Sequence, residues 1–403
     1  MFVGIDWASR AHELCVVGEE GVVIARFGFA HSERGISEAL ERLGWLGSPA
    51  ELPIAIERPD GLLVDRLLEA GHPVVPIHAN AFHAARPRWE GAGSKSDPGD
   101  AYRLADLLRT DRHRLRALQP LDPATRELRA LVRLRDDHVA ARVASTNQLA
   151  ALLAEHWPGA AATFGRLDSQ IALAFLERYP TPQSATRLGE ARLAAFLRRH
   201  SYCGRRSAGE LLVRLRQAPQ PVQLLDPDVV AELVHAQVRL VRTLLGSIAG
   251  LDRAIAATLE QHAKAQLLRA LPRVGTISLG QIVAEVGPLL ERSGSSDEAA
   301  ALCGAVPVTK RSGRQHAVCF RHATNAKARK ALTLYADNSR HASPWAERIY
   351  RDARARGCRH PHAVRILARA WLRVIWACWH SDTPYDPARP RGSDRHREGV
   401  TLT

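Results

Sequence analysis

Five side chains in this sequence have the types and spacing that phosphoryl chemistry requires. Asp6 ends the apolar run Phe2-Val3-Gly4-Ile5, where the chain should be entering a core, and a carboxylate there is costly unless it is paired or metal-bound. Glu57 closes a second such run, Pro53-Ile54-Ala55-Ile56. Asp97 and Asp100, in Lys95-Ser96-Asp97-Pro98-Gly99-Asp100-Ala101, stand three apart at the start of an expected helix whose first turn suits Pro98, so both fall on one face. Four convergent carboxylates supply the hard oxygen ligands that two Mg²⁺ ions need. Such ions, about 3.5–4 Å apart, can stabilise both the attacking and the leaving oxygens of a phosphodiester. Taken singly, each acid also has a plain structural role: Asp97 as a helix cap, Asp100 favouring the helix dipole, Glu57 in a surface ion pair.

The fifth side chain is Ser312. It lies in Cys303-Gly304-Ala305-Val306-Pro307-Val308-Thr309-Lys310-Arg311-Ser312-Gly313-Arg314, which reads as a polar loop with Lys310, Arg311 and Arg314 around one serine. Its hydroxyl is either a nucleophile on phosphorus, with the cations stabilising a pentavalent phosphorane, or a simple hydrogen-bond partner of a phosphate. Arg321, Lys327, Arg329 and Lys330 continue the basic surface. Upstream, Leu271-Pro272-Arg273-Val274-Gly275-Thr276-Ile277-Ser278 reads as the turn of a helix-hairpin-helix module, with Arg273 and Gly275 placed to meet a phosphate, or as a packing turn between helices. Trp371, Trp376 and Trp379, at helical spacing, read as core.

The elements that must position these groups follow from periodicity. Phe2–Ala8, His12–Val17 and Val22–Ala30 read as three antiparallel strands, the last two joined through Gly-Glu-Glu-Gly. A helix over Ser32–Leu43, a strand over Leu52–Glu57, a helix over Leu62–Ala70, a strand over Pro73–His78 and a helix over about Ala79–Arg86 follow. That order predicts an α/β domain of ribonuclease-H-like (RuvC-like) type, a mixed sheet flanked by helices, in which the strand carrying Glu57 lies beside the strand carrying Asp6. Two long helical runs, about Leu121–Trp157 and Pro227–His262, suit an antiparallel or intermolecular coiled coil or ordinary helix packing, with shorter helices over 158–220 between them. We expect domains at 1–118, 119–265 and 266–381, the last mostly helical, and a disordered tail over 382–403.

The 403 residues carry 56 Lys and Arg against 42 acids, a net charge of +14. Residues 301–380 hold sixteen bases against three acids (Asp337, Glu347, Asp352), whereas residues 1–115 hold thirteen against seventeen. A G+C-rich genome explains why only five of the bases are Lys, but not why they cluster, and the clustering points to a polyanion held by the C-terminal part. The six cysteines form no C-x-x-C pair, so zinc ribbons and disulfide frameworks are poorly supported. No run has the length of a membrane span and no secretory signal opens the chain, so a folded, cytoplasmic protein without membrane contact is expected.

The joint pattern resembles a known family. Gly4-Ile5-Asp6, Glu57, Lys95–Ala101, Leu271–Gly275, Leu302–Pro307 and Arg311-Ser312-Gly313 occur in the order found in the DEDD-type transposases of the insertion sequence one-ten group, which are bridge-RNA-guided recombinases. The resemblance implies that Asp6, Glu57, Asp97 and Asp100 form a RuvC-like Mg²⁺ site and that Ser312 is the nucleophile of a covalent phosphoserine link to DNA. It implies as partners donor and target DNA, a structured guide RNA that pairs with both, and further copies of the chain, with a tetramer the expected assembly. Family members often carry two serines before the glycine; here Arg311 precedes Ser312. The competing readings are a RuvC-like junction nuclease in which Ser312 only binds phosphate, and a nucleic-acid-binding assembly protein without catalysis.

Overall fold

A computed structural model describes residues 1–89, 97–222, 224–312, 315–322 and 324–388; residues 97–98, 310–312 and 315–317 are described by their backbone. The chain divides into two compact units, Met1–Pro120 and Leu121–Thr403.

The first unit opens with strands β1 (Phe2–Asp6), β2 (Ala11–Val17) and β3 (Val23–Ala30), then α1 (Glu33–Gly44), β4 (Ile54–Ile56), α2 (Leu62–Glu69), β5 (Val74–Pro76), α3 (Ala79–Ala85) and α4 (Asp97–Asp111). The sheet order is β3-β2-β1-β4-β5, with β1, β4 and β5 parallel and β2 and β3 antiparallel, so β4 lies beside β1 as the sequence predicts. The period-2 alternation splits the sheet's two faces cleanly. Val3, Ile5, Ile54 and Ile56 pack with Ile36, Leu43, Leu63 and Leu67 of α1 and α2. On the other face Phe2, Ala55 and Val75 pack with Leu104 and Leu108 of α4. Ser32 caps α1 by accepting from the Gly35 N–H.

One glycine sets the distance between sheet and helix on that second face. A Cβ at Gly4 would overlap the Ala101 carbonyl oxygen and stand 2.5 Å from the Ala105 nitrogen, so the α4 backbone rests directly on β1. Because Gly4 meets Ala101 and Ala105 while Phe2 shares its cluster with Leu108, α4 runs opposite to β1. Its first turn therefore lies at the Asp6 end of the strand.

The second unit is built on α5 (Pro123–His156) and α10 (Pro227–Gln261). They pair antiparallel within the chain: the Arg135 and Asp252 side chains meet at 2.5 Å, and Thr125 Oγ1 lies 2.9 Å from His262 Nε2. Between them come α6 (Pro158–Thr163), α7 (Gln170–Arg178), α8 (Glu190–Arg199) and α9 (Ala208–Gln217), whose Phe175, Phe196 and Leu211 form one core with Leu149, Leu153, Val234 and Val238. The other ends of the long helices enter a second core: Leu128, Val132, Ile255 and Leu259 pack with residues of the C-terminal elements. Those elements are α11 (Ala263–Leu268), α12 (Thr276–Gln281), a π-helical stretch over Ile282–Val286, α13 (Gly287–Glu291), α14 (Ser296–Leu302), β6 (Val308–Ser312), β7 (Gln315–Cys319), α15 (Ala326–Ser339), α16 (Pro344–Ala355) and α17 (His360–His380). Trp371 and Trp379 are buried in that core, as expected, and Trp371 donates its indole N–H to Ser339.

Three expectations change. The polar loop around Ser312 is a β-hairpin: Val308 pairs with Cys319 and Ser312 with Gln315. Two five-residue runs around a Gly-X dipeptide are a hairpin signal, which the cations obscure in the sequence. The first residues of the expected tail are packed: Tyr385 is buried against Trp371 and donates its backbone N–H to the Leu267 carbonyl; residues 389–403 lie outside the described residues. In the turn before α12 the left-handed position is Arg273 (φ 53°), whereas Gly275 has φ −72° and open space where a Cβ would stand.

Replacing Gly4 by Ala is expected to cost roughly 3 kcal/mol or more, because the added methyl must push two backbones apart. The measurement is a urea unfolding curve: a lower midpoint at unchanged slope supports the close approach, and a wild-type midpoint contradicts it.

Candidate active site

The last paired residues of β1 and β4 are Ile5 and Ile56, so Asp6 and Glu57 are the next residues of two adjacent parallel strands. Alternation places them with Gly4 and Ala55 on the face that α4 covers. Past the ladder, the Arg58 guanidinium stacks on the Trp7 ring at 4.1 Å, so the two chain ends stay side by side beyond their acids. On the other flank Asp6 stands directly opposite Glu13 of β2, on the same face. Glu13 leans towards Gly28, where a Cβ would lie 2.8 Å from its Oε1. Sequence reasoning misses Glu13. Its signal is an acid interrupting the apolar strand Ala11–Val17, but its registry with Asp6 needs the strand pairing. Three acids thus come to one end of the sheet, Asp6 and Glu13 in register and Glu57 just past β4.

The first turn of α4 brings Asp100 to the same end of the sheet. Asp100 is 4% exposed and ion-paired on both oxygens, with Arg86 at 2.8 Å and Arg103 at 2.7 Å. Expected as a metal ligand, it is here the partner of two guanidiniums, which satisfy a carboxylate that burial would otherwise penalise. The side chain of Asp97 lies outside the described residues. Among the described residues no group of three or more acidic, histidine or cysteine side chains is arranged to hold a metal ion. The oxygen-only character of Asp6, Glu13 and Glu57 nevertheless fits Mg²⁺ as a donor set, and Asp100 would join them only by releasing Arg86 or Arg103.

A second feature invisible in the sequence fixes the turn after Asp6. His12 is 1% exposed; its Nδ1 accepts from the Ala8 N–H at 3.3 Å and its Nε2 lies 2.8 Å from His31 Nδ1. Burial, reinforced by the charge of His31, pushes the His12 ring down to about 4.

In the second unit Ser312 ends β6, with the side chains of Ser312, Lys310 and Arg311 and the whole of Arg314 outside the described residues. The remaining basic candidates divide. Lys330 is ion-paired with Asp136 at 2.8 Å, and Arg329 donates to the Arg321 carbonyl and to Thr324 while covering the Phe320 ring, so both are engaged internally. Lys327 and Arg273 are exposed, and Arg321 is half-buried. Glu285, in the π-helical stretch, is 2% exposed and held by Arg133 at 2.7 Å and Arg129 at 3.4 Å.

The chain is similar to known transposases. Residues 3–158 match the family model DEDD_Tnp_IS110, described as a transposase, and residues 265–351 match the transposase family IS116/IS110/IS902. The chain is 32% identical over 401 residues to the mini-circle IS117 protein of Streptomyces coelicolor, a putative transposase, covering 96% of each chain. It is 28% identical to the 42 kDa protein of insertion element IS900 of Mycobacterium paratuberculosis, over 96% of this chain and 98% of that one. It is 29% identical to the 43.6 kDa protein of insertion element IS110 of Streptomyces coelicolor, over 97% of both.

His12 gives a pH dependence with a definite sign. Its folded value, about 4, lies below the ordinary 6.5, so the folded protein binds fewer protons between those limits. Stability from this group is complete above pH 6.5 and falls as pH drops towards 4; buried His72, also held below its ordinary value by burial, acts in the same direction. Urea unfolding at about pH 7 and about pH 4.5, with NMR titration of the His12 ring, checks this. A ring titrating near its ordinary value would refute it.

Proposed function

This chain belongs to the IS116/IS110/IS902 family of transposases, and from that premise we propose that it is a Mg²⁺-dependent, RNA-guided DNA recombinase that inserts and excises its own insertion sequence through a phosphoserine at Ser312. The observation that carries the reading is the row of acids Glu13, Asp6 and Glu57 at the end of the sheet under the first turn of α4. Their carboxylates are the hard oxygen donors that Mg²⁺ takes, and Mg²⁺ is an ion suited to stabilising a phosphodiester undergoing displacement.

In this reading Asp6, Glu57, Asp97 and Asp100 hold Mg²⁺, with Glu13 added to the set. The metal, when bound, supplies charge stabilisation at the attacking and leaving oxygens of the transferred phosphoryl group. Arg86 and Arg103 hold the Asp100 carboxylate, which joins the metal site by releasing one of them, and a Trp7–Arg58 stack holds the two strand ends in line. At the other centre the Ser312 Oγ bonds to phosphorus as the bond from phosphorus to one sugar oxygen breaks, and that oxygen leaves with a proton. Attack on the phosphoserine by the sugar hydroxyl of the exchanged strand then forms the new phosphodiester and frees the serine. The cations beside Ser312 in the hairpin offset the charge that develops on phosphorus. Sequence choice falls to base pairing between the guide RNA and the donor and target DNA, consistent with a basic surface that carries no base-reading motif. Assembly as a homo-tetramer brings the two kinds of centre to one DNA junction.

The test is to incubate the protein with Mg²⁺, the RNA flanking its element and labelled junction DNA, and to resolve the products on a denaturing gel. A protein–DNA adduct is expected that is lost in Ser312→Ala, with recombination abolished in both Ser312→Ala and Asp6→Ala while unfolding midpoints stay at wild type. Free cut ends without an adduct, still dependent on Asp6, would replace this reading by hydrolysis at the carboxylates.

A further inference from the structure

A cluster of positive charge without carboxylate partners lies outside both centres. An open basin of about 470 Å³ is lined by Arg356, Gly357, Cys358, Arg359, Pro361, His362 and Arg365, at the junction of α16 and α17. It begins beyond residue 351, where the C-terminal family match ends. Several arginines of the same C-terminal elements have carboxylate partners: Arg340 takes Asp337 at 2.8 Å, Arg351 takes Glu347 at 2.7 Å, and Arg369 takes Asp297 at 3.0 Å. Among the described residues Arg356, Arg359 and Arg365 have none, although three guanidiniums around one basin repel one another. Burial, and after it the charge of Arg329, hold the Arg365 guanidinium below its ordinary value. The 21-residue α17 begins at the same basin, so the positive end of its dipole adds to the local charge, although the His362 and Ala363 N–H groups donate to the Arg359 carbonyl.

The basin is tied to the Ser312 hairpin. Phe320, the residue after β7, is covered by Arg365 at 5.0 Å and by Arg329 at 4.7 Å. From Phe320 back to Gln315, which pairs with Ser312, is five residues of extended chain, about 17 Å at roughly 3.4 Å per residue. Resting on the reading of Ser312 given above, we propose that Arg356, Arg359 and Arg365, with His362, form a phosphate clamp for the backbone of the DNA strand Ser312 acts on, to one side of the scissile phosphate. The clamp touches phosphate only, and so positions the strand without reading its sequence.

The experiment measures binding of the full chain to a fluorescent DNA duplex of about 30 base pairs and to an RNA of about 30 nucleotides across a salt series, alongside the adduct assay. Arg356 and Arg359 are exposed side chains, so Arg356→Gln with Arg359→Gln leaves the fold intact, and Arg365→Lys serves as the second variant. Each phosphate no longer neutralised by a guanidinium lowers the salt slope by about 0.9, so the double variant is expected to lose about two units of slope and about tenfold or more in duplex affinity, with RNA binding changed less. Arg199→Gln with Arg205→Gln, which removes the same charge elsewhere, is expected to keep the slope. An unchanged slope in the basin variant, an equal fall in the control, or a loss confined to RNA overturns the clamp. Ser312→Ala separates the two claims: a wild-type slope with no adduct supports both, whereas a chain that never forms the adduct yet loses slope in the basin variant refutes the serine chemistry and keeps the clamp as a DNA phosphate site.

Discussion

The candidate active site rests on one close approach. Strand β1 and helix α4 touch backbone to backbone at Gly4, where no side chain can intervene. A strand and a helix held apart by ordinary side chains would sit at the usual layer spacing of about 10 Å, and the helix's first turn would stand well off the sheet. With that layer removed, the first turn of α4 is drawn down over the end of β1, and Asp100 arrives at the edge where Asp6, Glu13 and Glu57 lie. The small residues Ala101 and Ala105, both fully buried, are the counterpart on the helix.

Charge does the corresponding work in the second unit. Arg129 and Arg133 on α5 hold buried Glu285, and Asp136, one turn on, accepts from Gln281 and from Lys330 of α15. Glu285 lies within the π-helical stretch and Gln281 just before it, where the widened turn departs from i→i−4 bonding. The long helix α5 is thereby bound to the C-terminal core by directional, charge-assisted bonds as well as by Leu128 and Val132. Removing one partner would strand a buried charge, so the network favours one register of α5 against that core.

The elements themselves are largely legible in the sequence. The β-β-β-α-β-α-β-α order, the pairing of β4 with β1 and the two long helices follow from periodicity and turn residues that are local in the chain. The hairpin at Ser312 reads as a loop because its strands carry Lys310 and Arg311, and charge is a poor guide to a two-stranded ribbon. Tyr385 reads as part of a tail because its neighbours are Pro, Asp and Arg. Its burial depends on Trp371 and Leu267, which no local window contains.

The sequence by itself determined which groups are available: four carboxylates at strand and helix ends, one serine among cations, and a basic C-terminal half. It did so because strand ends, helix starts and charge density are properties of short segments. Only the tertiary structure decided who meets whom. It placed Glu13 opposite Asp6 through β-register, gave Asp100 to Arg86 and Arg103, turned Arg329 inward, paired exposed Lys330 with Asp136, and gathered Arg356, Arg359 and Arg365 around one basin. Each of these depends on how strands pair and helices turn and pack, which residue type alone does not state, and the energy of a charged group is set by such neighbours.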